Sequence, residues 1–211
     1  LIMAIISNGT TIADAGAFSA SLGSLVHIKT ITASDAATVS LVHGASSVVF
    51  NNTYPIYLIE YINVHPASES RFTFQVSTDT GSSYGIAITN TVLQAYHVDD
   101  AEYASLEYNG GHDHHQDTGF IKLSAQDVDD NNDDSMNGYI YIFDPSDTTF
   151  KKNYISNSYH NADNSAGDGH AWNNMDAGYF NTASAVDGIQ FKFSSGNIAS
   201  GTFKLYGIKD S

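Results

Sequence analysis

The chain contains no cysteine. Disulfide bridges, thiolate zinc sites and cysteine nucleophiles are therefore excluded. Basic residues are scarce: eight Lys and Arg stand against 23 Asp and Glu, a formal net charge of −15 over 211 residues. Binding DNA or RNA through phosphates needs clustered cations, so the charge balance argues against nucleic acid as a partner and against an anionic membrane surface. No apolar run approaches the ~20 residues of a spanning helix, so no membrane insertion is expected. The segment 1–6 is apolar, but it is too short for a signal h-region and lacks a basic flank. Met3 reads as the start codon, with Leu1 and Ile2 preceding it by a gene-calling artefact. There is no H-E-x-x-H and no Walker-type loop. Only three prolines are present, so turns must rely on the 17 glycines and on Asn and Asp.

What is plentiful is strand-forming material. Hydrophobic residues make up 42% of the chain, and 13 Tyr and 11 Phe favour extended backbone. The segment 186–208 carries the clearest pattern. Ile189, Phe191 and Phe193 alternate with Gln190, Lys192 and Ser194, and Phe203 and Leu205 flank Lys204 after a Ser/Gly/Asn loop. Two alternating runs joined in this way predict a β-hairpin. Further strands are predicted at 25–32, 37–42, 48–51, 56–64, 71–77, 86–89, 92–98, 120–123, 138–143 and 150–159. The segment 100–108, with Asp99 or Asp100 as a cap and Ala101, Ala104 and Leu106 as helix formers, predicts one short helix. Polar loops are expected at 109–118, 124–137 and 160–176, the last holding the only tryptophan. Many short strands at roughly 10–15 residue spacing and almost no helix predict an all-β fold. The expected form is a single jelly-roll-like sandwich of two antiparallel sheets over 25–211, with 1–24 as an anchoring arm.

Several segments resemble a recurrent family of virion proteins from tailed bacteriophages, especially marine ones such as cyanophages. The segments are SMNGYIYIFDPSDTTFKKNYI (135–155) and GYFNTASAVDGIQFKFSSGNIASGTFKLYGI (178–208), with 193–208 the most specific piece; SSVVFNNTYPIYLIEYINVHPA (46–67) and VLQAYHVDD (92–100) fit the same family. The likeness covers most of the chain from about residue 25 onward. It implies a β-sandwich on the outside of a phage particle and brings no catalytic residues. The loops at 109–118 and 160–176 are particular to this chain.

Four stretches carry candidate chemistry. His112 and His114 lie in a Gly-rich loop and would point the same way on an extended segment; they read either as metal ligands, joined by His160, Asp163, Asp168 and His170, or as a solvated loop tip. Asp127, Asp129, Asn131 and Asp133 match the first positions of a calcium loop. The EF-hand match then fails, with Asn132 where Gly belongs and Gly138 where Glu belongs, leaving a non-EF Ca²⁺ site or an acidic surface loop. Residues 81–85 fit G-x-S-x-G, but a nucleophile elbow needs a helix afterwards and the sequence that follows is strand-like, so a turn is expected. Trp172 with Asn173, Asp168 and His170 has the makings of a sugar platform, or of a ring tucked over the core. Glu60 and Glu107 form no persuasive acid pair.

The expectation is a non-enzymatic protein of the virion exterior, most simply a capsid decoration unit, with a tail-fibre or receptor-binding tip reading host-surface glycans as the alternative. Expected partners are other virion proteins and further copies of the chain, a trimer being one arrangement. No cofactor is required, and Ca²⁺ is the one candidate ion.

Overall fold

The computed structural model describes residues 5–7, 10–14, 17–18, 24–99, 103–163 and 169–209. All regular structure among them is β. Three short strands, β1 (Ile5–Ser7), β2 (Thr10–Asp14) and β3 (Ala17–Phe18), form an antiparallel meander within the expected arm.

Eight strands build the sandwich. β4 (Leu25–Ala36), β6 (Ile56–Pro66), β12 (Met136–Phe143) and β16 (Ile198–Ile208) lie in one sheet in the order β4-β16-β6-β12. β5 (Val39–Val42), β7 (Phe72–Ser77), β11 (Ile121–Lys122) and β15 (Gly188–Phe193) lie in the other, in the order β5-β15-β7-β11. Along these eight, every step but β7 to β11 crosses from one sheet to the other, which is the winding of a jelly roll. All pairings are antiparallel.

Two insertions widen the first sheet only. One, between β12 and β15, is a long hairpin of β13 (Lys152–Asp163) and β14 (Gly169–Phe180). The other, between β7 and β11, supplies β8 (Ile88–Val98) with β9 (Ala104–Tyr108) and β10 (His115–Asp117) along its free edge. The widened sheet runs β4-β16-β6-β12-β13-β14-β8, well past the rim of the small sheet.

The inward faces meet in an aromatic core. Tyr61, Phe72, Phe74, Phe191, Phe193 and Phe203 are buried together, with Phe72 and Phe191 stacked at 5.8 Å. Each such ring removes ~150–250 Å² from water, so this cluster dominates the packing.

Four expectations are corrected. Residues 186–208 are not a hairpin: β15 pairs with β5 and β7, β16 with β4 and β6, and the loop between them bridges the two sheets. Both strands bury one face, so the alternation is the same whether they lie side by side or face to face. The segment 100–108 is not helical where described: Ala104–Tyr108 pairs with β8, and tertiary pairing overrides the high helix propensity of Ala, Leu and Glu. The predicted loop at 160–176 is mostly strand, and Trp172 sits within β14. Residues 48–51 form no strand, although Val48 and Phe50 are buried in the core. The 81–85 segment is a turn, as expected. Asp79 accepts from Ser77 Oγ (2.7 Å) and from Ser83 N (2.9 Å) and Oγ (2.5 Å), which holds its carboxyl down to about 2.

Candidate interaction face and the residues behind it

The widening makes a sheet with two unlike faces. On β13, Lys152, Tyr154, Ser156, Ser158 and His160 point inward and are buried. Their neighbours on β14 and β8 include Asn174, Asp176, Gln94 and Asn90, also buried. Buried polar groups need partners. Here the segment 109–125 lies over them where the small sheet has ended. Asn174 Nδ2 donates to Leu123 O (3.0 Å), His114 N donates to Asn90 Oδ1 (2.6 Å), and Asn109 Nδ2 donates to Gln94 Oε1 (2.6 Å). Asp176 accepts from Asn90 Nδ2 (2.9 Å) and from the Tyr154 hydroxyl (3.0 Å). Burial outweighs those bonds and pushes its carboxyl up to about 7.

Arg71, on the approach to β7, fastens this cover. Its Nε pairs with Asp127 Oδ1 at 2.7 Å, Nη2 donates to Gln126 Oε1 at 2.8 Å, and Nη1 donates to Ala125 O. The sequence candidates for metal ligation fall into this arrangement and do not converge. His112 is buried, with Nδ1 3.0 Å from Asn109 Nδ2 and Nε2 facing Arg71. Burial, aided by the Lys122 and Arg71 cations, brings it down to about 4. His114 lies beside Asp117 (3.5 Å), and the two histidines do not share an extended segment. Asp127 is held by Arg71, Asp129 Oδ1 accepts from Asn131 N in a local turn, and Asp133 lines a separate groove with Asn63, His65 and Ser200. Among the described residues, no three His, Asp or Glu side chains are placed to share a metal ion.

The sugar-platform set is divided by the pleat. Trp172 and His170 share one face, their rings 5.7 Å apart and nearly parallel, and Tyr96 (4.6 Å) and His160 (6.3 Å) flank Trp172. Asn173 points to the opposite face, where its Nδ2 donates to Asn157 Oδ1 (2.9 Å). Asp168 lies outside the described residues, as does the side chain of Asp163.

The outward face of the widened sheet is the feature that the sequence did not announce. Leu93, Leu106, Tyr108, Ile155, Tyr159 and Met175 all point to it, and their exposure runs from 37% at Met175 to 68% at Leu106. The strand register sets them side by side: Tyr108 opposes Leu93, and Leu93 opposes Met175. Two shallow grooves run across it, one floored by Ala95, Ala171 and Asn173 beside Tyr159, the other by Thr91, Ala177 and Met175 beside Tyr139 and Ile155. Contiguous apolar surface of this kind marks a contact site. The available signal was Ile155 and Tyr159, large side chains at the parity opposite the buried Tyr154.

The fold and this face together define an all-β sandwich of jelly-roll winding with an exposed apolar sheet face. No protein-family model, no curated protein and no solved structure matches the chain.

Proposed function

We propose that this protein is a non-enzymatic structural component of the exterior of a tailed-phage virion, acting as a decoration unit that binds other virion proteins. The observation that carries the reading is the apolar outward face of the widened sheet, which suits a subunit built into a larger assembly of subunits. A two-sheet body with a filled aromatic core holds its shape, and the two insertions widen one sheet into a contact surface. The resemblance of 135–155 and 178–208 to marine phage virion proteins points the same way. The groups that sequence offered for chemistry have structural employment: Asp127 with Arg71, and His112 with Asn109.

The experiment is quantitative mass spectrometry on purified particles. A decoration unit appears in numbers comparable to the shell subunit, and absence from the particle overturns the proposal. A second reading, a tip that contacts host glycans, is favoured by one observation, the partly exposed Trp172 ring beside Tyr96 and His170. It requires a low copy number and purified protein that blocks adsorption to host cells.

A further inference from the structure

From β9 to β12 the outward strand positions carry no charge in a strongly acidic molecule; Asp113 on the Tyr108 hydroxyl, Asp134 on Asn161 and Lys151 over the Tyr179 ring stand at the margins of this face. The chain carries 23 Asp and Glu. Yet none of the outward positions within 89–97, 104–108, 137–143, 153–161 and 171–179 is a carboxylate. A basic partner would be drawn elsewhere, to the acidic loops. An acidic partner can approach closely only where charge is missing, because like charges brought together across an interface cost several kcal/mol. The acidic partner certain to be present is another copy of the same chain.

The polar groups of the face are already prepared for burial. Asn173 Nδ2 donates to Asn157 Oδ1 (2.9 Å), and Asn157 Nδ2 donates to the Tyr159 hydroxyl (2.8 Å). Amides bonded to one another can lose water without being orphaned. The same bonding leaves them poorly placed for a sugar, whose hydroxyls need free donors and acceptors. The extent is adequate too. Five strands about 4.8 Å apart, with outward rows about 6.8 Å apart, span roughly 600 Å². That approaches the ~800 Å² per partner of a standard interface.

We infer that two copies of this chain associate face to face through the outward surface of β8, β13 and β14, with Leu93, Ile155 and Met175 at its centre. A surface that meets its own copy is isologous, so the assembly is a two-fold dimer. The inference stands on the face and not on the virion assignment. A dimer formed by a protein absent from particles would keep it, and a monomeric protein found on particles would remove it alone.

The test is analytical ultracentrifugation of the purified chain at several concentrations and at moderate salt. The expected result is a dimer. Met175→Glu places two carboxylates in the contact and should raise the dissociation constant at least about tenfold, while Met175→Leu retains the dimer. Leu25→Glu, at the far edge of the same sheet, should leave association unchanged. Melting temperatures of the variants confirm that each is folded. A monomer throughout the concentration range, a trimer, or a Met175→Glu protein that dimerises as tightly as the parent would overturn the inference.

Discussion

The ring of Phe191 in the small sheet lies 5.4 Å from the ring of Phe203 in the large sheet. A single loop separates their strands, yet they meet across the sandwich and not along a shared edge. Both also contact Phe72, and Phe191 contacts Tyr61. The two rings therefore tie the sheets together at the centre of the core.

Truncating either ring should be costly. Phe191→Ala or Phe203→Ala removes a fully buried aromatic and leaves a cavity, for an expected loss of about 3–5 kcal/mol in urea unfolding. Phe150, exposed at 72%, provides the contrast. Phe150→Ala should change stability by less than about 0.5 kcal/mol. Equal effects would mean that the core is not organised around this pair.

The same pair explains what could be read in advance. Alternation reports that a strand has one wet and one dry face, and Phe191 and Phe203 announce that clearly. It does not report which strand lies beside which, so a bridge between sheets passed for a hairpin. The jelly-roll class could be read from the number and spacing of strands; its widened sheet could not. His160, Asn173 and Asn174 look like loop residues because open sheets seldom bury such groups. They are strand residues here: Asn174 Nδ2 donates to Leu123 O, Asn173 Nδ2 donates to Asn157 Oδ1, and the His160 ring is buried without a hydrogen bond among the described residues. The candidate metal residues were legible as chemical types. Their separation was not, since it depends on where Arg71 anchors the cover.

Gly138 should not tolerate a side chain. A Cβ there would stand 2.5 Å from Asn157 O and 2.6 Å from the Tyr61 ring. Tyr61 is fully buried, with its hydroxyl 2.6 Å from Ser158 Oγ. Asn157 O cannot retreat without disturbing the β12–β13 ladder, nor the Tyr61 ring without breaking its bond to Ser158. Gly138→Ala is expected to cost about 3 kcal/mol, the upper end of overpacking, read as a lowered urea midpoint. Gly85, with open space around its Cα, is the control; Gly85→Ala should be neutral or slightly stabilising.

Arg71→Met should loosen the cover while leaving the sandwich folded. The variant loses the Asp127 pair and the donors to Ala125 and Gln126, for an expected destabilisation of about 1–3 kcal/mol. The local consequence is more diagnostic. Limited proteolysis should gain cleavage within 109–135, and hydrogen exchange there should rise before it rises in β7 or β15. Cleavage spread evenly along the chain would show that Arg71 serves global stability alone.

His160 should make the protein acid-sensitive. Its ring is buried, neither ring nitrogen meets a hydrogen-bond partner among the described residues, and burial with Arg71 nearby holds it down to about 3. The unfolded chain takes up this proton near pH 6.5 and the folded chain does not. Stability attributable to the neutral ring is therefore present above pH 6.5 and is lost as pH falls toward about 3. His160→Leu removes that linkage. Its stability relative to the parent should rise progressively between pH 6.5 and pH 4, measured by urea unfolding at each pH; a difference independent of pH would refute the assignment.

Asp176 should act in the opposite sense. Its carboxyl titrates at about 7 in the folded protein against an ordinary value of 3.8, because burial disfavours the charge. Between those values the folded chain holds a proton that the unfolded chain has released. Stability from this group is fully present below pH 3.8, declines as pH rises, and is gone above about pH 7. Asp176→Asn keeps an acceptor for Asn90 Nδ2 and offers an N–H to the Tyr154 hydroxyl, with no charge to bury. The variant should match the parent near pH 4 and exceed it by roughly 4 kcal/mol at pH 8, at about 1.4 kcal/mol per pH unit between. Exposed carboxylates, common to both proteins, cancel in the difference. A parent more stable than the variant at pH 8 would mean that Asp176 is ionised and paired in the fold, and that the inner face of the widened sheet is wetter than its burial implies.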